Sequence, residues 1–174
     1  HIHRPDILAH PQEVARALDD AVSAGKIGAL GVSNFTASQT AALNQFLGNK
    51  LVASQPEISP LRIDCFQDGT LDQAMMLGLT VLAWSPLGGG RLAQPRSPRD
   101  KQIAAAIDKV AGEQGVSRSV SSYSWMMAYR SGMGSIIGSQ QAERIAEGAA
   151  ALSVRWSRED WYAVLVASRG EQLP

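Results

Sequence analysis

The chain has 174 residues, enough to bury a sizeable core in one domain. Its 16 basic and 16 acidic residues cancel, which excludes a global field that would draw it to nucleic acid, an anionic membrane or a highly charged partner. No apolar run approaches the roughly 18 residues that cross a bilayer. The single Cys65 offers neither an internal disulfide nor a Cys-x-x-Cys zinc frame, so no metal is expected and a reducing compartment, the cytoplasm, is.

His1-Ile2-His3 reads as a short strand. Val14, Ala17, Leu18, Ala21 and Val22 recur at three- and four-residue spacing, the apolar face of a helix over residues 11–24 that Gly25 stops. Ile27–Val32 reads as a buried strand, and Thr36 caps the next helix, with Ala41, Ala42, Leu43, Phe46 and Leu47 on its apolar side. Leu51–Ser54 is a further strand. A polar loop and a short helix near Thr70–Leu77, broken by Gly78, lead to the buried strand Leu79–Trp84. Gly88-Gly89-Gly90 and the proline-rich stretch through Pro98 form the longest loop. Lys101–Gln114 and Ser117–Tyr129 are helical by periodicity, Ser135–Ile137 is a last short strand, and Gln141–Leu152 is a helix. Ser157-Arg158-Glu159-Asp160 has the capping-box spacing and starts a terminal helix.

Strands that alternate with helices must run parallel with right-handed crossovers, which leaves an open doubly wound sheet or a (β/α)8 barrel. The strand count suits the open sheet, but no strand is followed by Gly-x-Gly-x-x-Gly. A complete barrel usually needs about 250 residues, so on that reading the chain is roughly its last five units. Either way the chemistry belongs at the carboxyl ends of the strands. Four such ends carry polar groups: His3, the Ser33-Asn34 pair, Gln55 with Glu57, and Trp84-Ser85.

His3-Arg4-Pro5-Asp6 after a strand, Gly31-Val32-Ser33-Asn34-Phe35, Ser54-Gln55-Pro56-Glu57, Ala83-Trp84-Ser85-Pro86-Leu87-Gly88-Gly89-Gly90, and Ile137-Gly138-Ser139 followed by Arg144 stand in an order that resembles the aldo-keto reductase family. The resemblance runs from His3 to the last helix and is nearest to bacterial oxidoreductases of that family. It implies an α/β fold, a (β/α)8 TIM barrel present here from strand 4 to the final helix, with residues 1–174 as the carboxyl-terminal part of one barrel domain. It implies an NADPH-dependent oxidoreductase that reduces a small-molecule aldehyde or ketone to an alcohol by hydride transfer.

The roles that follow from the resemblance attach to named residues. Ser33, Asn34 and Gln55 would hold the nicotinamide carboxamide, for which their side chains supply both donors and acceptors. Trp84 would stack on the nicotinamide ring, and Ser85, Leu87 and Gly89 belong to the loop that folds over the pyrophosphate. Gly138, Ser139 and Arg144 would meet the adenosine 2'-phosphate, which favours NADPH over NADH, with Glu147 near the adenine. Gly148 falls where many members carry an asparagine that reads the adenine. His3 matches the catalytic histidine that hydrogen-bonds the substrate carbonyl.

The family's reaction also needs an Asp, a Tyr and a Lys that precede this histidine, and none can be assigned here. Tyr123, Tyr129 and Tyr162 all fall in helices after the cofactor motifs. The chain is therefore expected to be the carboxyl-terminal half of a reductase, inactive alone, pairing its open sheet edges with the missing amino-terminal half or with itself. A non-catalytic NADPH-binding scaffold and a self-associating half-barrel are the alternatives. The last residues, Gln172–Pro174, are expected to reach over the site.

Overall fold

The computed structural model of the protein describes residues 1–172, so the expected reach of Leu173 and Pro174 lies outside the described residues. The chain gathers into two compact units, one of His1–Pro56 with Cys65–Leu82 and one of Glu57–Asp64 with Ala83–Pro174.

In the first unit, α1 (Pro11–Ser23) starts where His10 Nδ1 accepts the Gln12 N–H at 3.2 Å and Pro11 takes a position whose N–H needs no partner. β1 (Leu30–Ser33) follows, then α2 (Ala37–Phe46), which opens with a reciprocal cap. Thr36 Oγ1 accepts the Gln39 N–H at 3.2 Å and Gln39 Oε1 accepts the Thr36 N–H at 3.0 Å. β2 (Leu51–Gln55) runs parallel to β1, with Val32 opposite Ser54 and Ser33 opposite Gln55. α3 (Thr70–Leu77) ends at Gly78 in the left-handed region, φ 67°, and leads to β3 (Thr80–Ala83), parallel to β2.

Two expectations shift here. The strand expected over Ile27–Val32 begins only at Leu30, because Gly28 and Ala29 are exposed and the ladder starts opposite Leu51. The strand expected at His1–His3 is a single parallel bridge from Ile2 to Val32: Ile2 N–H donates to Gly31 O at 3.0 Å, and Ser33 N–H donates to Ile2 O at 2.8 Å. Gly31 makes the approach possible, since a Cβ there would lie 2.5 Å from the His1 ring.

The second unit is built on α4 (Pro98–Gln114), α5 (Arg118–Met127) and α7 (Arg158–Arg169), with α5 and α7 both packed on α4. Its core includes Ile103, Ile107, Val110, Val120, Trp125, Met126 and Val164. Trp125 and Trp161 stack with centroids 5.1 Å apart, and each indole N–H donates to the other's backbone carbonyl, at 3.0 and 2.9 Å. Helix α4 starts three residues before the expected Lys101: Ser97 Oγ accepts the Asp100 N–H at 3.1 Å and Pro98 sits at the first helical position. The proline read as loop is thus a helix start.

β4 (Gly134–Ser135) is shorter than expected, and Ile136 beyond it donates its N–H to Ala83 O at 2.9 Å. The single helix expected over Gln141–Leu152 is α6 (Ala142–Gly148) followed by a 3-10 segment, Ala149–Leu152. There Ala151 is buried against Val120 and Tyr123. Among the described residues no helix is long and apolar enough to cross a membrane.

Candidate cofactor site

In the first unit the expected nicotinamide residues come together at the carboxyl ends of β1 and β2, and they are knitted to each other. Ser33, 2% exposed, donates its hydroxyl proton to Gln55 O at 2.7 Å. Its oxygen accepts from Asn34 Nδ2 at 3.1 Å, and the same amide donates to His3 O at 2.9 Å. Asn34 holds this place with φ 60°, a conformation that asparagine tolerates better than other side chains, and its own N–H reaches Gln55 O at 3.3 Å. The side chain of Ser33 therefore serves the strand ends as well as facing them, where the sequence suggested groups aimed wholly at a ligand. His3 sits beside this trio with its side chain exposed. An apolar cavity of about 310 Å³ in the same unit is lined by Ile2, Pro5, Phe35 and Leu43, among others, and by none of the expected site residues.

In the second unit Trp84 follows β3 half-buried, bridged in parallel to Glu57. The chain then turns sharply at Ser85, φ 56°, whose oxygens fold the following loop back on itself. Gly88 N–H donates to Ser85 O at 2.8 Å and Gly89 N–H donates to Ser85 Oγ at 3.0 Å. Gly88, Gly89 and Gly90 all have positive φ, which is what this turn requires of them. Arg91 closes the loop by a two-armed bond to the buried Asp100, at 3.2 Å from Nε and 2.6 Å from a terminal nitrogen. That guanidinium, with help from Ser97, holds the Asp100 carboxyl below the usual carboxylate range.

Around this loop lies a cavity of about 590 Å³. Ser85, Leu87, Gly89, Gly138, Ser139, Arg144 and Glu147 all line it, so of the residues expected in this unit only Trp84 is outside its wall. The sequence reading missed Gln94, Ser117, Ser119 and Tyr123, which line it too. Ser117, read as the first residue of a helix, is its cap and accepts the Val120 N–H at 3.3 Å, and nothing in the local pattern marked its place in the cavity wall. Tyr123 was placed in its helix and set aside for that reason.

The wall suits a phosphorylated dinucleotide. Arg144 is exposed and forms no ion pair among the described residues, although Glu143 and Glu147 lie on the same helix. It leaves a cation with unused donors beside Ser139. A Cβ built on Gly89, Gly90 or Gly138 meets nothing within 4 Å, so backbone is open to close approach on both sides of the cavity. Leu87 and Val120 supply apolar surface. Among the described residues there is no cluster of histidine, cysteine and carboxylate fit to hold a metal ion.

A parallel βαβ framework with polar strand ends and a glycine-rich loop beside an open cavity define an α/β protein. The aldo/keto reductase family model matches residues 1–165, and the chain belongs to that family. It is 73% identical over 173 residues to 6-dehydroglucose reductase of Novosphingobium aromaticivorans, a match covering 99% of this chain and 57% of that protein. It is 34% identical to 6-dehydroglucose reductase of Agrobacterium fabrum, over 99% of this chain and 57% of that one. With oxidoreductase YdhF of Escherichia coli it shares 38% identity over 99% of this chain and 58% of that one. The chain thus spans a little over half the length of these relatives.

Among solved structures it superposes on the thermostable aldo-keto reductase Tm1743, crystallised with the inhibitor epalrestat, with a TM-score of 0.84 at 22% identity. That match covers 95% of this chain and 58% of that one, and shows a fold of the (β/α)8 type. Family membership is borne out. The narrower expectation, that the chain is the carboxyl-terminal half only, is not borne out by these matches.

Proposed function

We propose that the chain is the cofactor-binding part of an NADPH-dependent carbonyl reductase, one barrel domain from strand 4 to the final helix, acting on a small sugar aldehyde. The observation that carries this reading is the second unit's cavity, whose wall draws on the glycine-rich loop, the Gly138-Ser139 turn and the helix bearing Arg144 and Glu147. The 73% identity to a 6-dehydroglucose reductase supports 6-dehydroglucose, or an aldehyde of that class, as substrate. The single Cys65 supports a reducing compartment, which we take to be the cytoplasm.

NADPH, when bound, supplies the hydride. Ser33, Asn34 and Gln55 present an array of hydroxyl and amide groups to the carboxamide, pre-ordered by the bonds among them. Trp84 offers a flat aromatic face at the next strand end. Ser85, Leu87 and Gly89 admit the pyrophosphate, while Ser139 and Arg144 hold the 2'-phosphate and Gly138 lets it approach. Arg144, a planar cation with donors to spare, favours a phosphate over a bare ribose hydroxyl, hence NADPH over NADH. Glu147 lies on the same helical face near the base. The His3 imidazole donates a hydrogen bond to the substrate carbonyl and polarises it. Proton delivery requires an acid that the family's pattern places ahead of His3, so the chain alone is proposed to bind NADPH without turnover. Val52, 48% exposed in the middle strand of β1-β2-β3, supports a complementary segment or a second copy covering that face.

The test is titration of the full chain with NADPH and NADH, followed by quenching of tryptophan emission. Binding of NADPH at least tenfold tighter than NADH, lost in Arg144→Ala, supports the reading. Equal affinity for both, or no binding of either, overturns it.

A further inference from the structure

Tyr123 is the one aromatic residue in the wall of the second unit's cavity. The residue is only 7% exposed, yet its hydroxyl has no hydrogen-bond partner among the described residues, while its backbone O accepts from Ser135 Oγ at 3.3 Å. Other large polar aromatics of the same unit behave differently. The indole N–H groups of Trp125, Trp156 and Trp161 each find an acceptor, at 3.0, 3.2 and 2.9 Å. Unlike the fully buried Ser121 Oγ and Ser131 Oγ, which also lack partners, the Tyr123 hydroxyl is not sealed off, so its donor and acceptor are available to a ligand in the cavity.

Gly148 lies beside the ring. A Cβ on Gly148 would overlap Ile137 Cδ1 and stand 3.7 Å from Tyr123 Cε2. The bare backbone of α6 therefore lets Ile137 close against it, with the tyrosine edge in ordinary contact alongside. The ring is otherwise held among Val110, Val120, Ala151 and Val154, so it is fixed in place while its hydroxyl remains at the cavity.

We propose that Tyr123 is a base-reading residue: its hydroxyl hydrogen-bonds the purine ring of the bound nucleotide. The inference rests on the nucleotide site proposed above. The local charge favours a base over a phosphate as the partner. Burial raises the Tyr123 pKa first, Glu147 raises it next, and Arg144 lowers it least, so the hydroxyl stays neutral in a field set more by the carboxylate than by the guanidinium. A neutral hydroxyl both donates and accepts, and a purine edge offers both kinds of partner. A phosphate only accepts and would bring negative charge toward Glu147. Leu87 and Val120 give the base apolar surface within the same wall.

The experiment isolates the adenosine end of the ligand. The full chain and its Tyr123→Phe variant are titrated by calorimetry with 2',5'-ADP, with NADPH, and with reduced nicotinamide mononucleotide, which has no adenosine. Tyr123→Phe keeps the ring in its apolar setting, and matching near-ultraviolet circular dichroism checks that it does. The expected result is a threefold to tenfold loss of affinity for 2',5'-ADP and NADPH, about what one neutral hydrogen bond contributes, with mononucleotide binding unchanged. Unchanged affinity of Tyr123→Phe for 2',5'-ADP, in a chain whose parent binds it, overturns the role of Tyr123 alone. Failure of the parent chain to bind 2',5'-ADP and NADPH overturns it together with the site on which it rests.

Discussion

The glycine-rich loop provides a comparison between two neighbouring substitutions that differ in one physical respect. Gly88 and Gly89 have nearly the same backbone, φ 58° and 65°, so an alanine at either pays a similar left-handed cost, about 1–2 kcal/mol. Their surroundings differ. A Cβ on Gly89 meets nothing within 4 Å, whereas one on Gly88 falls 2.6 Å from Leu61 Cδ1, 3.3 Å from its Cβ and 3.4 Å from its Cγ. Leu61 is 8% exposed and cannot simply swing into water, so Gly88→Ala adds an overpacking cost of about 1–3 kcal/mol. In a chain of this size 1 kcal/mol moves the thermal midpoint by about 2–4 °C, so Gly88→Ala should melt several degrees below Gly89→Ala. Urea denaturation of both gives the difference in free energy directly, provided the slopes agree. Leu61→Val removes the offending Cδ1 and should recover most of that difference in the double variant, a coupling visible in a mutant cycle. Equal destabilisation by the two alanines, or a double variant that merely adds the single losses, refutes the contact and with it the support that Leu61 gives the loop.

Three further outcomes follow from the same unit. Asp100→Asn breaks the two-armed bond from Arg91; since the folded Asp100 pKa lies below its ordinary value near 3.8, the stability it contributes is complete above that pH and is lost as pH falls through the folded value. The variant should therefore melt below the parent at pH 7, with the gap closing below about pH 4; a gap constant across that range refutes the assignment. Trp161→Phe keeps a ring against Trp125 but deletes the N–H that reaches Trp125 O, and should cost about 0.5–1.5 kcal/mol in urea for the lost hydrogen bond; parent-like stability refutes its contribution. Gly148→Ala should destabilise by about 1 kcal/mol, since its Cβ overlaps Ile137 Cδ1 and forces that side chain to shift; wild-type melting would count against the packing described.

The elements that the sequence made legible are those with strong local chemistry. Thr36 with Gln39, Ser157 with Asp160, and the left-handed Gly78 and Gly25 set helix limits through bonds and dihedrals within a few residues, and these appear where the spacing put them. Strand limits were less legible because they depend on a partner remote in sequence. Leu79-Thr80-Val81-Leu82-Ala83-Trp84 is apolar but for Thr80, yet only Thr80–Ala83 is strand, and Ile27, Gly28 and Ala29 were counted into a strand whose first ladder pair is Leu30 with Leu51. Pro98 misled for a different reason: read as a loop residue, it is a helix start once Ser97 is recognised as its cap.

The candidate site divides along the same line. Ser85, Leu87, Gly89, Gly138, Ser139, Arg144 and Glu147 belong to ordered motifs, and the cavity collects them. Ser117, Ser119 and Tyr123 belong to no motif, because their role comes from where α5 rests and not from what flanks them in sequence. Tyr123 sits in a helix whose buried members, Val120, Trp125 and Met126, look like core, and its ring is core. Only its hydroxyl is different, and the difference lies in where α5 sets the residue in the cavity wall. A residue that is structural by its ring and polar at its tip cannot be assigned from periodicity, which averages the two. Such residues are where a family's shared motifs end and an individual chain's ligand preference begins, and for that reason the binding of 2',5'-ADP discriminates more sharply at Tyr123 than at Ser139 or Arg144, which the family pattern already implies.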